Sequence, residues 1–85
     1  MSPQLPPRDP SDLQKLTSRE REVLCLVIQG LASKQIARQL RVGESTVKSH
    51  LARIYIKLDV QNRTEAASAF LQLTVLASHE IARAS

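Results

Sequence analysis

The chain has 85 residues and a formal net charge of +4, with 42% apolar residues and only 2% aromatics. That length holds one small domain, and a core with little besides Leu, Ile, Val and Ala suits packed helices better than a sheet. Cys25 stands alone, which excludes an intramolecular disulfide, and no apolar run approaches the ~20 residues of a membrane span; with no signal-peptide pattern at the start, a cytoplasmic protein with no membrane partner is expected.

Residues 1–12 contain all four prolines, Pro3, Pro6, Pro7 and Pro10. Proline removes a backbone donor and restricts its predecessor, so this stretch reads as a flexible arm or linker. The folded unit is expected over 13–80. Thr17 followed by Glu20 forms a capping box, and Val23, Leu24 and Val27 supply the apolar stripe of a first helix, which Gly30 ends. Ser33 is expected to cap a short second helix through Ile36, Ala37 and Leu40. Arg41, Val42 and Gly43 then make a tight turn into a third helix from about Glu44 to Leu58. Asn62 with Glu65 makes another capping box, opening a fourth helix from Arg63 to roughly Ser78, with 81–85 fraying. The expected fold is all-α with four helices. Its central pair, two short helices joined by a Gly-containing turn, has helix-turn-helix spacing.

All of the net charge falls between Leu31 and Asn62. There Lys34, Arg38, Arg41, Lys48, Arg53 and Lys57 stand against Glu44 and Asp59, while the segments on either side are neutral. A basic centre in a neutral frame suits a polyanion, although the same residues also serve as solvated helix faces. On the third helix Val47, Leu51, Ile54 and Leu58 fall within about 60° of one another and must face the core. Opposite lie Ser45, Lys48, Ser49 and Ala52, flanked by Arg53 and Lys57, with no acidic residue from Ser45 to Lys57. This is the profile of a helix laid in a DNA major groove. Small side chains admit the backbone, Lys48 can donate to guanine or phosphate, and Ala52 can touch a thymine methyl. An ordinary amphipathic surface helix, the other reading, more often mixes Glu with Lys.

Lys34 opposes the dipole of the second helix. A phosphate contact would explain it, and an exposed lysine there also costs only tenths of a kcal/mol. His50 lies beside the core face, where it either donates to a phosphate or packs at the domain edge. His79 and Cys25 are assigned no role. The fourth helix carries Ala66, Ala67, Ala69, Phe70, Leu71, Leu73, Val75, Leu76 and Ala77, apolar nearly all round. One stripe covers a small core, so the remainder implies a second surface. Self-association through Ala67, Phe70, Leu71 and Thr74 is the simplest account; cover by the arm (Leu5, Leu13) or by another domain is the alternative. Paired carboxylates, metal-ligand spacing and an activated nucleophile are all lacking, so no enzyme, metal site, cofactor or small-molecule substrate is expected.

Four strings carry a resemblance: Leu16-Thr17-Ser18-Arg19-Glu20-Arg21-Glu22-Val23-Leu24, Gly30-Leu31-Ala32-Ser33-Lys34-Gln35-Ile36-Ala37, Thr46-Val47-Lys48-Ser49-His50 and Lys57-Leu58-Asp59-Val60-Gln61-Asn62-Arg63-Thr64-Glu65-Ala66. In order and without gaps, from Leu16 to about Phe70, the chain resembles the LuxR/FixJ/NarL-type helix-turn-helix domain. The resemblance implies a bacterial transcription regulator that binds double-stranded DNA as a dimer through its second and third helices. Such a domain is the output part of a response regulator or a short stand-alone regulator. It places Lys48 and Ser49 at groove-facing positions, and Thr46, His50, Asn62 and Arg63 near the phosphate backbone. With the helix faces above, the expected base-reading set is Lys48, Ser49, Ala52 and Arg53. The expected backbone set is Lys34, Ser45, Thr46, His50, Lys57, Asn62 and Arg63.

Three residues depart from the pattern. Gly43 stands where Ser or Thr usually caps the third helix, Ala52 replaces a longer polar side chain, and Ile56 is apolar on the outward face, against a sugar-phosphate edge or another protein. Two other readings stand beside this one. A sigma-factor region-4-like module docking on RNA polymerase is opposed by the Asn62-Arg63-Thr64-Glu65 start of a fourth helix. A protein-interaction domain that has lost DNA binding is opposed by the basic window.

Overall fold

The computed structural model describes residues 10–84. A short 3-10 helix at Pro10–Lys15 leads into α1 (Ser18–Ile28), α2 (Ser33–Leu40), α3 (Glu44–Leu58) and α4 (Arg63–Ala84), with no strand among the described residues. The all-α, four-helix architecture is therefore as expected. Most of the proline-rich arm, including Leu5, lies outside the described residues.

The helix ends show why the elements fall where they do. At the start of α1, the Thr17 hydroxyl accepts the Glu20 amide at 3.1 Å, and Glu20 Oε1 accepts the Thr17 amide at 2.8 Å, completing the box. At its end Gly30 takes φ +90°, its amide bonds to the Val27 carbonyl, and the Leu31 amide reaches the Leu26 carbonyl. This is a Schellman closure. The same pair of bonds ends α2 at Arg41 (φ 59°) and α3 at Asp59 (φ 54°), two left-handed positions held by residues with a Cβ. Each reverses the chain within three residues, which sets α3 across α2 and α4 back against α1 and α3.

Three boundaries and one reciprocal cap bond differ from the sequence reading. Ser33 is the first residue of α2 and not its cap. The cap position falls on Ala32, which has no side-chain bond, and Gln35 Oε1 accepts the Ala32 amide at 2.8 Å instead. At α4 the Asn62 side chain accepts the Glu65 amide at 2.9 Å, but Glu65 reaches one residue further out, to the Gln61 amide at 2.7 Å. Residues 10–12, expected in the arm, belong to the 3-10 helix. Pro10 loses nothing at a first position, Lys15 pairs with Asp12 at 2.8 Å, and Leu13 packs on the core beside buried Leu16. Finally, α4 continues past Ser78 to Ala84, since no Gly or Pro interrupts a run of good helix formers.

The core is one cluster in which Val23, Leu24 and Val27 of α1 meet Val47, Leu51, Ile54 and Leu58 of α3 and Ala66, Ala69, Phe70 and Leu73 of α4. α2 contributes Ile36 and Ala37 and leans chiefly on α3, while the 3-10 helix lies against α4. No helix among the described residues is long and apolar enough to cross a membrane.

Candidate nucleic-acid interface

Burial of Val47, Leu51, Ile54 and Leu58 fixes the rotation of α3, so Ser45, Lys48, Ser49, Ala52, Arg53 and Ile56 all stand exposed on its outer side. Burial of Ile36 and Ala37 likewise fixes α2, whose Lys34 and Arg38 share one exposed flank, with Arg41 exposed just past its end. Among the described residues Lys34, Arg38, Arg41 and Arg53 make no ion pair. Lys48 has only a loose partner: its Nζ lies 3.7 Å from Glu44 Oε1, one turn earlier, with both side chains largely in solvent. A pair at this spacing contributes about 0.2–0.5 kcal/mol to a helix, so it leaves Lys48 available to a stronger acceptor.

Lys57 is used differently from the phosphate contact expected of it. Its Nζ lies 2.7 Å from Glu20 Oε1, the same oxygen that closes the capping box, and the two residues are 37 apart in sequence. Glu20 is 2% exposed, the one buried charged residue of the described set. Burial opposes its ionisation. The Lys57 ammonium and the Thr17 amide and hydroxyl outweigh that effect and hold the carboxyl below its ordinary value of 4.5. The pair ties the start of α1 to the last turn of α3, so it positions the exposed face of α3. Helix periodicity placed Lys57 on the flank of α3 but carries no sign of a partner on another helix.

The remaining expected residues are divided. Thr46 and Asn62 are exposed, and Arg63 is half-buried without an ion pair among the described residues. His50 is half-buried, and its Nδ1 is enclosed without a hydrogen-bond partner, so any contact outward runs through Nε2. On α4 the expected association face needs one exchange. Phe70 is buried at 6% exposure, because it follows Ala66 and precedes Leu73 on the core stripe. Leu71 at 49% and Val75 at 56% are exposed, with Ala67 and Thr74 partly so, and the Thr74 hydroxyl is turned onto the Leu71 carbonyl at 2.8 Å. Leu13 does pack on the core as the arm alternative envisaged, yet Leu71 and Val75 remain uncovered by the described residues. Cys25 is exposed, and the His79 side chain lies outside the described set. Arg38 and Arg41 as cations beside α3, and the placing of Val75 on the exposed face, were missed in the sequence assignment; helical spacing from Lys34 could have found Arg38, whereas Arg41 lies at the left-handed end of α2.

The fold and this surface define a helix-turn-helix domain in which the second helix of the pair turns outward a face that carries no acid after Glu44. The chain belongs to the luxR family of bacterial regulatory proteins (GerE), which it matches over residues 14–70. It is 48% identical over 56 residues to the nitrate/nitrite response regulator protein NarL of Escherichia coli (strain K12), covering 66% of this chain and 26% of that one. It is 46% identical over 54 residues to the transcriptional regulatory protein LiaR of Bacillus subtilis (strain 168), covering 64% and 26%. The solved structure of the transcription factor GerE superposes with a TM-score of 0.67 at 34% identity, over 79% of this chain and 92% of that one. The chain thus spans about a quarter of the length of these two curated relatives.

Proposed function

We propose that this chain, through a unit of about residues 13–80, binds specific sequences in double-stranded DNA as a dimer and thereby regulates transcription in the bacterial cytoplasm. The observation that carries the reading is the outer face of α3: exposed, acid-free from Ser45 to Lys57, and bordered by exposed cations, of which Lys34, Arg38 and Arg53 have no ion-pair partner among the described residues. Laid in a major groove, such a face brings Lys48, Ser49, Ala52 and Arg53 to base edges. Lys34, Ser45, Thr46, His50, Asn62 and Arg63 then fix the register on phosphates, joined by Arg38 and Arg41. Lys57 is left out of this set because Glu20 holds it. Two copies meet through Leu71 and Val75, with Ala67 and Thr74 beside them, and a C2 pair presents two half-sites.

Fluorescence-anisotropy titration of random and enriched duplexes over a salt series, with complex mass measured alongside, tests the reading. A steep negative log–log salt slope, tighter binding to an enriched two-half-site duplex and a 2:1 complex are expected. Leu71→Asp should convert that complex to weaker 1:1 binding, by about tenfold or more, since a charge cannot be buried unpaired at an apolar contact. Binding that is equally tight on every duplex, or absent at low salt, overturns it.

A further inference from the structure

We propose that Ile56, together with Ala52, reads thymine methyl groups and so extends base readout into the C-terminal half of α3; this rests on the DNA-binding reading above. Ile56 is 80% exposed, more than any other large hydrophobic residue described, although it lies in the last turn of α3, between buried Ile54 and buried Leu58. Its position explains the exposure. Ser45, Ser49, Ala52 and Ile56 follow one another at i, i+4, i+7 and i+11, a single stripe directly opposite buried Val47, Leu51, Ile54 and Leu58. The stripe changes chemistry along its length, from two hydroxyls to two apolar side chains. Lys48 and Arg53 flank the stripe with their charges exposed, and Ile56 lies within one turn of Arg53, at the C-terminal border of this cationic face.

An isoleucine there gains nothing from phosphates. In the major groove the apolar group on a base edge is the thymine C5 methyl. The rise from Ala52 to Ile56 is about 6 Å, close to two base-pair steps of ~3.4 Å, so two methyls two base pairs apart fall within reach of the two side chains. Each half-site should therefore hold its guanine contact on the Lys48 side and its thymines toward the Ile56 end.

The test starts from a duplex enriched with the full chain. Each thymine of a half-site is replaced in turn by deoxyuridine, which deletes only the methyl group. At one or two positions the unsubstituted protein should lose about fourfold in affinity, the change that corresponds to one buried methyl-sized group. Ile56→Ala should bind the thymine duplex more weakly, lose its sensitivity at the Ile56 position, and keep the same salt slope. Its exposure leaves the fold intact, which circular dichroism checks. If no thymine is sensitive, or if Ile56→Ala keeps the full sensitivity while specific binding persists, the proposal is overturned and Ile56 faces a protein partner instead. If no duplex is enriched at all, the DNA-binding reading falls and takes the proposal with it.

Discussion

The two halves of the molecule treat charge in opposite ways. In the frame formed by the 3-10 helix, α1 and α4, Lys15 is held by Asp12 at 2.8 Å and Arg19 by Glu22 at 3.1 Å. In the α2–α3 pair, four exposed cations have no ion-pair partner among the described residues, and Lys48 has a loose one. Arg21 and Arg63 of the frame also lack an ion-pair partner among the described residues, but acids there match bases in number, whereas the segment from Leu31 to Asn62 keeps the whole net excess of positive charge. Glu20 and Lys57 bridge the two halves, one residue from each, and add a close ion pair to the core packing of α3 against α1 and α4.

Removing that bridge should have the largest effect. Glu20→Ala strands the Lys57 ammonium, which is about a third exposed, and leaves the Thr17 amide without its acceptor. A loss of about 2–4 kcal/mol in folding stability is expected, below the extreme for a fully buried pair because Lys57 keeps some water. Urea unfolding measures it, and a loss under about 0.5 kcal/mol, the level of surface changes, would show that the halves are held by packing alone. The pH dependence follows from the lowered carboxyl. Below 4.5 the unfolded chain takes up this proton before the folded one does. The contribution is therefore complete above the ordinary value and lost as pH falls through the lower folded one. Glu20→Gln should flatten the stability curve in that acid window.

Changes on the binding side should invert the pattern. Lys48→Ala is expected to leave stability nearly unchanged and to weaken specific binding by roughly 1–3 kcal/mol if the ammonium reads a guanine. Discrimination should relax at one base pair per half-site. A uniform loss on all duplexes would reduce Lys48 to a phosphate contact. In the frame, Arg19→Ala is the control and should alter neither property by more than about 0.5 kcal/mol.

The same division governs how much could be read from the sequence. Local signals placed the elements well: Thr17 with Glu20, the left-handed Gly30 and the 3.6-residue stripe of Val47, Leu51, Ile54 and Leu58 all stand as expected. The outward face of α3 was legible for the same reason, because periodicity fixes which side is buried. What periodicity does not contain is contact between distant segments. Lys57 looked like a free cation because Glu20 is 37 residues away. Phe70 looked available for a partner because a helix apolar nearly all round has no visible core side until α1 and α3 are packed against it. The cap of α2 slipped by one residue, and the Glu65 bond at the start of α4 reached Gln61 while Asn62 kept its place as cap, because side-chain capping depends on the exact entry angle of the chain.

Apart from the Arg19 control, Gly43 offers the smallest effect on stability and the finest distinction between the halves. It caps α3 with φ −74° and ψ 154°, an extended conformation open to any residue, and contributes no side-chain bond. A Cβ there would sit 3.7 Å from Ser45 Oγ and 3.9 Å from Thr46 Oγ1, ordinary contact distances. Gly43→Ser therefore has room, supplies an acceptor for the Thr46 amide, and restricts the unfolded chain. A gain of about 0.3–1 kcal/mol is expected, seen as a rise of ~1–5 °C in Tm. If the gain appears with DNA affinity unchanged, the turn belongs energetically to the domain's own stability. If stability rises while affinity falls, the added atoms have met the DNA backbone, and glycine is kept at this turn so that the strand can approach the start of α3.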